Sequence, residues 1–232
     1  MSAIAIITAR GGSKRIPRKN IKEFCGKPII AYSIEAAIGS GIFDEVMVST
    51  DDEEISQIAL GYGAKVPFLR SEKLSGDYAT TSDVLFEVLD EYEKRGQSFD
   101  IGCCIYPTAP FITSDKLKEA GTRFRESDAD SLIPVVPFSY PPQRCFVISD
   151  DKLNFKYPEY LNTRSQDLEK EYHDAGQFYF FRTKNFRKSG NLLLGNVIPM
   201  VVDEMEVQDI DNLTDWQIAE LKYKLMADKT GI

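Results

Sequence analysis

The feature that most constrains this chain is the regular alternation of short apolar runs with helix-period segments over residues 3–136. Residues 3–7 (AIAII) are apolar throughout, the mark of a strand buried on both faces. A Gly- and Lys-rich loop follows, then a helical segment over about 28–40 and a strand over 45–50 carrying Val46, Met47 and Val48. A helix over about 53–62 is capped by Asp51-Asp52 and stopped by Gly61 and Gly63. After an extended piece at 66–69 comes a helix at 81–95 with Val84, Leu85, Val88 and Leu89 on one face. A third buried strand at 101–105, a helix near 114–127 opened by Thr113 and Ser114, and a strand at 131–136 complete the series. Strands alternating with helices predict an α/β fold with a doubly wound, mostly parallel sheet, whose ligands sit beyond the carboxyl ends of the strands. The loops at 8–20, 49–52 and 106–113 each follow a strand, so they are expected to share one face.

Residues 137–175 break this rhythm. They carry Pro137, Pro141, Pro142 and Pro158, many aromatics and a hairpin-like alternation near 144–157, and they read as an arm inserted into a single domain spanning 1–232. Strands are expected at 177–181 and 198–202, and a final amphipathic helix at 213–226 with Trp216, Ala219, Leu221, Tyr223 and Leu225 around it. The last few residues are expected to fray.

Charge sharpens the picture. The 232 residues carry a formal net charge of −8, a poor match to nucleic acid or anionic membranes. Yet residues 1–27 hold seven basic side chains (Arg10, Lys14, Arg15, Arg18, Lys19, Lys22, Lys27) against one acid, Glu23. A compact basic segment on an acidic body points to a local anion site. No run of ~20 apolar residues predicts a transmembrane helix, and the opening residues do not read as a signal peptide. The spacing of Cys25, Cys103, Cys104 and Cys145 fits no zinc motif, so reduced thiols and a cytoplasmic location are expected.

The basic loop reads Thr8-Ala9-Arg10-Gly11-Gly12-Ser13-Lys14-Arg15-Ile16-Pro17-Arg18-Lys19-Asn20. Gly11-Gly12 lets the backbone turn its N–H groups toward one point, Ser13 adds a hydroxyl, Lys14 and Lys19 add charge, and Arg10 adds a planar donor fork suited to phosphate. Its spacing is neither that of a Walker A loop nor that of a G-x-G-x-x-G fingerprint. A solvated basic turn is the competing reading. Near the other end, Asp209-Ile210-Asp211 sets two carboxylates at i and i+2, which an extended chain presents on one side, within reach of one hard cation such as Mg²⁺. The competing reading is N-capping of the helix that begins at Leu213.

The tract ARGGSKRIPRKN resembles the signature of the CMP-sugar synthetases for acidic sugars, the acylneuraminate cytidylyltransferase family, and the resemblance extends over nearly the whole chain through Val48-Ser49-Thr50-Asp51, Arg70, Asp77-Tyr78-Ala79-Thr80-Thr81 and the Asp209/Asp211 pair. It implies a Rossmann-like nucleotide-diphospho-sugar transferase fold. The implied reaction is Mg²⁺-dependent transfer of a cytidylyl group from CTP to the anomeric hydroxyl of a 2-keto acid sugar. By that resemblance Arg10, Gly11, Gly12, Ser13, Lys14, Lys19 and Asn20 hold the nucleotide. Arg70, the Ala79 carbonyl and Thr81 read the cytosine edge, a chemically apt set for a base with one amine donor and two acceptors. Asp209 and Asp211 hold the metal, and Arg10, Lys14 and the two aspartates serve catalysis.

An acidic acceptor calls for cations in its pocket, for which the arm offers Arg144, Arg164 and His173; Tyr106 is expected to line the same mouth. The sialic acid enzymes have Gln in place of Tyr106 and Arg in place of His173. The tracts PFSYPPQR, RSQDLEKEYHDAGQFY and CCIYPTAPF resemble instead the branch acting on pseudaminic acid, a nine-carbon acidic sugar that decorates bacterial surfaces and often flagella. The alternatives are a sialic or legionaminic acid synthetase or, outside catalysis, a nucleotide sensor. The family also implies a homodimer formed through the arm.

Overall fold

Strand β1 (Ala3–Thr8) is the axis of the sheet, with Ala3 to Ile7 wholly buried. Its alternate side chains enter two different cores: Ala3, Ala5 and Ile7 face one, Ile4 and Ile6 the other. The computed structural model describes residues 1–230, with side chains through Ala227, so part of the end expected to fray lies outside the described residues. A two-residue hairpin, β2 (Glu23–Phe24) and β3 (Lys27–Pro28), leads into helix α1 (Ile29–Ser40), which ends on Gly41 in the left-handed conformation. Strand β4 (Glu45–Ser49) pairs in parallel with one side of β1. Helix α2 (Glu53–Gly61) follows, capped by the Asp52 carboxylate on the Ile55 N–H at 3.0 Å. After helix α3 (Thr81–Lys94), β5 (Ile101–Ile105) takes the other side of β1, also parallel. The strand order therefore reverses at β1, the point where doubly wound sheets open a crevice.

Helix α4 (Ser114–Glu126) and β6 (Ser131–Pro137) come next, Thr113 capping the helix. Outside the main sheet lies the hairpin β7 (Phe146–Ser149) and β8 (Lys152–Phe155), turned by Asp150 and Asp151, both at positive φ as a two-residue hairpin loop requires. Strand β9 (Tyr172–Asp174) rejoins the sheet on β6. Strand β10 (Phe178–Arg182) runs antiparallel between β5 and β6, and after α5 (Thr183–Ser189) strand β11 (Val197–Val201) pairs in parallel with β6. The seven-stranded order is β11-β6-β10-β5-β1-β4, with β9 beside β6. Gly102 is fixed by this insertion: a Cβ there would lie 2.2 Å from the Phe181 ring, its partner in the β5–β10 register.

Residues of α1, α2 and α4 fill one core (Ile34, Ala37, Ile55, Leu117, Phe124), and α3 and α5 supply the other (Leu85, Val88, Tyr92, Phe186). Helices on both faces make the sheet doubly wound, as expected. Cys103 and Cys104 are fully buried in β5, and burial pushes the Cys104 thiol up to about 12.

The extended piece at 66–69 forms no ladder: among the described residues beside it only Lys65 bridges to Met47, and Pro67, lacking an N–H, cannot continue the pairing. Two helices differ from expectation. Helix α6 (Leu213–Thr230) is longer than its apolar pattern suggested and less amphipathic. It packs through Trp216, Ala219, Tyr223 and Met226 against Phe24, Tyr32 and Phe111, while Leu221 and Leu225 are exposed. Helix α5, too short to show a period, was not foreseen. No helix among the described residues is long and apolar enough to cross a membrane.

Candidate active site

Two clefts open side by side at the carboxyl edge of the sheet. The first, about 500 Å³, lies over the ends of β1 and β5 and beneath the start of α3. Arg10, Ser13, Lys14, Lys19 and Asn20 line it from the basic loop, with Arg70, Ala79 and Thr81 opposite, so the structure gathers residues up to 71 positions apart as expected from the sequence. Arg70 is 7% exposed and is anchored at the end of β4: Nε donates to the Ser49 hydroxyl at 3.0 Å, Nη2 to the Ser49 carbonyl at 2.6 Å, and its backbone N–H to the Thr50 carbonyl at 2.7 Å. Burial pushes its guanidinium below the ordinary arginine range, with Asp51 and Glu87 opposing. Thr80 caps α3 reciprocally with Asp83, and this sets Thr81 at the helix start with its hydroxyl 3.5 Å from the Tyr106 hydroxyl.

The basic loop keeps its shape through specific bonds. Asn20, buried, donates from Nδ2 to the Arg10 carbonyl at 2.8 Å. Lys19 is half-buried and donates to the Ile210 carbonyl at 2.7 Å, tying the loop to the Asp209–Asp211 segment. Burial pushes the Lys19 ammonium down, opposed by Asp211 and Asp209. Arg18, at φ 56°, grips Asp52 and Glu54, and its hydrogen bond holds the Asp52 carboxyl below the usual range. The glycines do less than their sequence implied. The Gly11 N–H donates to Asp51 Oδ1 at 3.0 Å, so it is not aimed at the cleft, and neither Gly11 nor Gly12 lines it. Gly11 is required for another reason: a Cβ would lie 2.7 Å from Asp52 Oδ2. Nothing crowds Gly12. The cleft is therefore charged by side chains, and two of them already have an anion. Asp77 binds Arg10 through Oδ1 at 2.9 Å and Lys14 through Oδ2, a contact no sequence signal announced.

The second cleft, about 550 Å³, shares Tyr106 and Thr108 with the first. His173, Asp174, Tyr179, Asp209 and Lys222 also line it. Tyr106 stands edge-on to Tyr179 at 5.4 Å, and the Tyr179 hydroxyl donates to the Asp174 carboxylate at 2.9–3.0 Å. His173 is exposed, 4.7 Å from the Phe138 ring, with Nδ1 2.9 Å from the Asp174 carbonyl. Arg144 and Arg164 line neither cleft. Both are bonded within the arm, Arg144 Nη1 donating to the Thr163 carbonyl at 2.9 Å and the exposed Arg164 pairing through Nε with Asp167 at 2.8 Å.

Asp209 and Asp211 stand on an extended segment with Ile210 buried between them, so both carboxylates lie on the side away from the core. The capping reading fails here. Asn212 caps α6, its Oδ1 accepting from Thr214 N at 2.8 Å and Asp215 N at 3.0 Å, and Asp215 returns the bond to Asn212 N. Asp209 faces the second cleft, while Asp211 meets Arg15 of the first at 2.8 Å. The pair thus bridges the two clefts. No group of three or more His, Cys, Asp or Glu side chains among the described residues is placed to hold a metal by itself, so an Mg²⁺ ion here would draw on Asp209 and Asp211 and complete its shell with substrate phosphates and water.

The chain is 44% identical over 226 residues to a pseudaminic acid cytidylyltransferase of Campylobacter jejuni, covering 97% of each chain. It is 34% identical to the CMP-N,N'-diacetyllegionaminic acid synthase of Legionella pneumophila, again over 97% of each. A CMP:2-keto-3-deoxy-manno-octonic acid synthetase solved with CTP superposes with a TM-score of 0.72 at 19% identity, over 99% of this chain and 100% of its own, a likeness of fold. The cytidylyltransferase family model matches residues 4–211, and the chain belongs to that family.

Proposed function

We propose that this protein joins CTP to an acidic nine-carbon sugar, pseudaminic acid, giving CMP-pseudaminic acid and pyrophosphate. The observation that carries the reading is the pair of adjoining clefts sharing Tyr106 and Thr108, one lined by Arg10, Lys14 and Lys19, the other holding Asp209. The similarity to the Campylobacter enzyme selects pseudaminic acid among related acceptors. The CTP base lies against Arg70, Ala79 and Thr81, and its phosphates against Arg10, Ser13, Lys14 and Lys19, with Asn20 fixing the loop that carries them. The acceptor lies in the second cleft beside Tyr106 and His173. Its anomeric hydroxyl oxygen attacks the α-phosphorus, the bond from that phosphorus to the bridging oxygen breaks, the electron pair leaves with pyrophosphate, and the hydroxyl proton passes to solvent water. Charge building on the phosphate oxygens meets the loop cations, and proximity across Tyr106 aligns the partners. Asp209 and Asp211 would hold Mg²⁺, which supplies further stabilisation of phosphate charge.

The chain acts as one catalytic domain with the segment 137–175 as an inserted arm. The arm's exposed apolar hairpin, with Phe146, Ile148 and Leu153, suits a second copy of the chain, whose arm would bring Arg144 and Arg164 to the neighbouring acceptor. Four free thiols accord with a cytoplasmic location. Pyrophosphate release measured with CTP and a panel of pseudaminic, legionaminic, sialic and 2-keto-3-deoxy-octonic acids tests the whole. Turnover is expected with CTP and to be fastest with pseudaminic acid. Equal rates with ATP would overturn the cytidylyl reading, and a faster rate with another acid would reassign the acceptor.

A further inference from the structure

The second cleft poses an electrostatic problem that its residues answer in one place. Three carboxylates line it, Asp174, Glu204 and Asp209, yet the acceptor proposed above is itself an anion. Two are already occupied: Asp174 accepts from the Tyr179 hydroxyl and from the Gly176 N–H at 2.7 Å, and Glu204 Oε1 accepts from the Ser139 hydroxyl at 2.7 Å. Hydrogen bonding delocalises their charge but does not cancel it. The two arginines expected to balance an acidic substrate do not line this cleft, and each is bonded within the arm of its own chain.

Among the residues lining this cleft the one lysine or arginine is Lys222, on α6. Its ammonium donates to the Val207 carbonyl at 2.7 Å and to the Glu204 carbonyl at 3.0 Å. An ammonium has three donors, so two hold it at the edge of the cleft and the third is left for a ligand. Carbonyl partners orient the group without neutralising it, whereas a carboxylate partner would. The side chain crosses from the final helix to the turn that delivers Asp209, so a ligand group bound to Lys222 lies on the side of the cleft where Asp209 stands.

Resting on the acceptor reading above, we infer that Lys222 binds the carboxylate of the acidic sugar, from the same chain that binds the nucleotide, and so selects acceptors whose carboxylate neighbours the attacking hydroxyl. Lys222 is then a substrate-binding residue and the two carbonyl bonds are its mount.

The test compares Lys222→Met, which keeps the methylene stem, and Lys222→Arg with the wild-type protein. Wild-type turnover with an acidic nine-carbon sugar comes first; if no such acid is accepted, the acceptor reading fails and this inference with it. Given turnover, Lys222→Met should raise the acceptor KM roughly ten- to a hundredfold, the scale of one charge-assisted hydrogen bond, with the KM for CTP unchanged. Lys222→Arg should restore part of the loss. As a control for a purely structural role, the acceptor's 1-carboxamide is used as a competitive ligand: it should bind the wild type and Lys222→Met equally, because the charge that Lys222 recognises is gone. An unchanged acceptor KM in Lys222→Met overturns the inference. So does an equal loss for the acid and the amide, or a matched rise in both KM values with a lowered Tm, since each assigns Lys222 to holding the turn.

Discussion

The nucleotide cleft and the acceptor cleft share a wall but are built in different ways. The first stands on the parallel half of the sheet. Its basic residues come from one contiguous loop after β1, and Arg70, Ala79 and Thr81 from the tract that leads into α3. The second stands where β10 is inserted antiparallel between β5 and β6, and it draws on the end of β6, the β9–β10 turn, the segment after β11 and the last helix. The first is positively charged by design of one loop; the second mixes carboxylates with a single lysine. On the proposed function, a nucleotide triphosphate is recognised by a dense local motif and a sugar by a surface gathered from across the fold. If this division is real, substitutions in one cleft should leave the other substrate's KM alone, and only groups at the junction should affect both.

The largest effect is expected at the junction. Asp209→Asn and Asp211→Asn should each lower turnover by about 100-fold or more, the scale of losing an electrostatic contact to transition-state charge. Tm should barely move, because Asn212 and Asp215 rather than these aspartates cap α6. EDTA should abolish wild-type turnover and Mg²⁺ restore it. Near-normal rates in both variants would remove the pair from the chemistry and leave the two clefts without a bridge.

Next in size are Arg10→Ala and Lys14→Ala. Each removes a charge-assisted phosphate contact, worth roughly 1.5–3 kcal/mol, so kcat/KM for CTP should fall roughly 10- to 150-fold. The acceptor KM should hold; a parallel rise in it would show that the clefts do not work separately. These residues were legible in the sequence because a cluster of cations in an acidic chain is unusual and the loop follows a strand. Arg70, Ala79 and Thr81 were legible only through family resemblance, since an arginine on a loop has no period or spacing. The pairing of Asp77 with the loop cations, and the places of Tyr179 and Lys222, were not legible. Asp77 pairs with cations more than 60 residues away, and Tyr179 looks like any aromatic in a buried strand. Lys222 sits on a helix whose apolar residues point both inward and outward. The same ambiguity misplaced Leu221 and Leu225: a helix with leucines on two sides gives no face to read.

A middling effect is expected at the shared wall. Tyr106 is half-buried, and burial raises its hydroxyl pKa, so the group is a neutral donor across the working range. Tyr106→Ala should open one cleft into the other and raise both KM values, whereas Tyr106→Phe, which removes only the hydroxyl beside Thr81, should affect each by a few-fold at most. An effect of Tyr106→Ala on one substrate alone would assign the wall to that cleft. Tyr106→Gln should weaken pseudaminic acid without having to create turnover of sialic acid.

The smallest effect should come from Asp77, and its sign is the informative part. Both of its oxygens rest on Arg10 and Lys14, where the triphosphate is proposed to bind. The Lys14 and Arg10 hydrogen bonds hold its carboxyl below the ordinary carboxylate range. A depressed pKa means that the charged contact is fully present above the unfolded value near 3.9 and is lost only as pH falls through the lower folded value. Asp77 is therefore an anion at every pH from 5 to 8, and the triphosphate must displace it. Removing it frees two cations already placed for phosphate. The contact is solvent-exposed, so it contributes little to stability and competes only weakly. Asp77→Asn should accordingly lower the KM for CTP roughly two- to five-fold, on the scale of an exposed ion pair, while Tm and the acceptor KM stay as they are. The gain should shrink as salt screens both contacts and should be the same at pH 5.5 and 7.5. A raised KM for CTP would show instead that Asp77 helps to hold the nucleotide, its carboxylate keeping Arg10 and Lys14 in place. In that case the nucleotide cleft would carry a mixture of charges like its neighbour, and the contrast between them would rest on sequence contiguity alone.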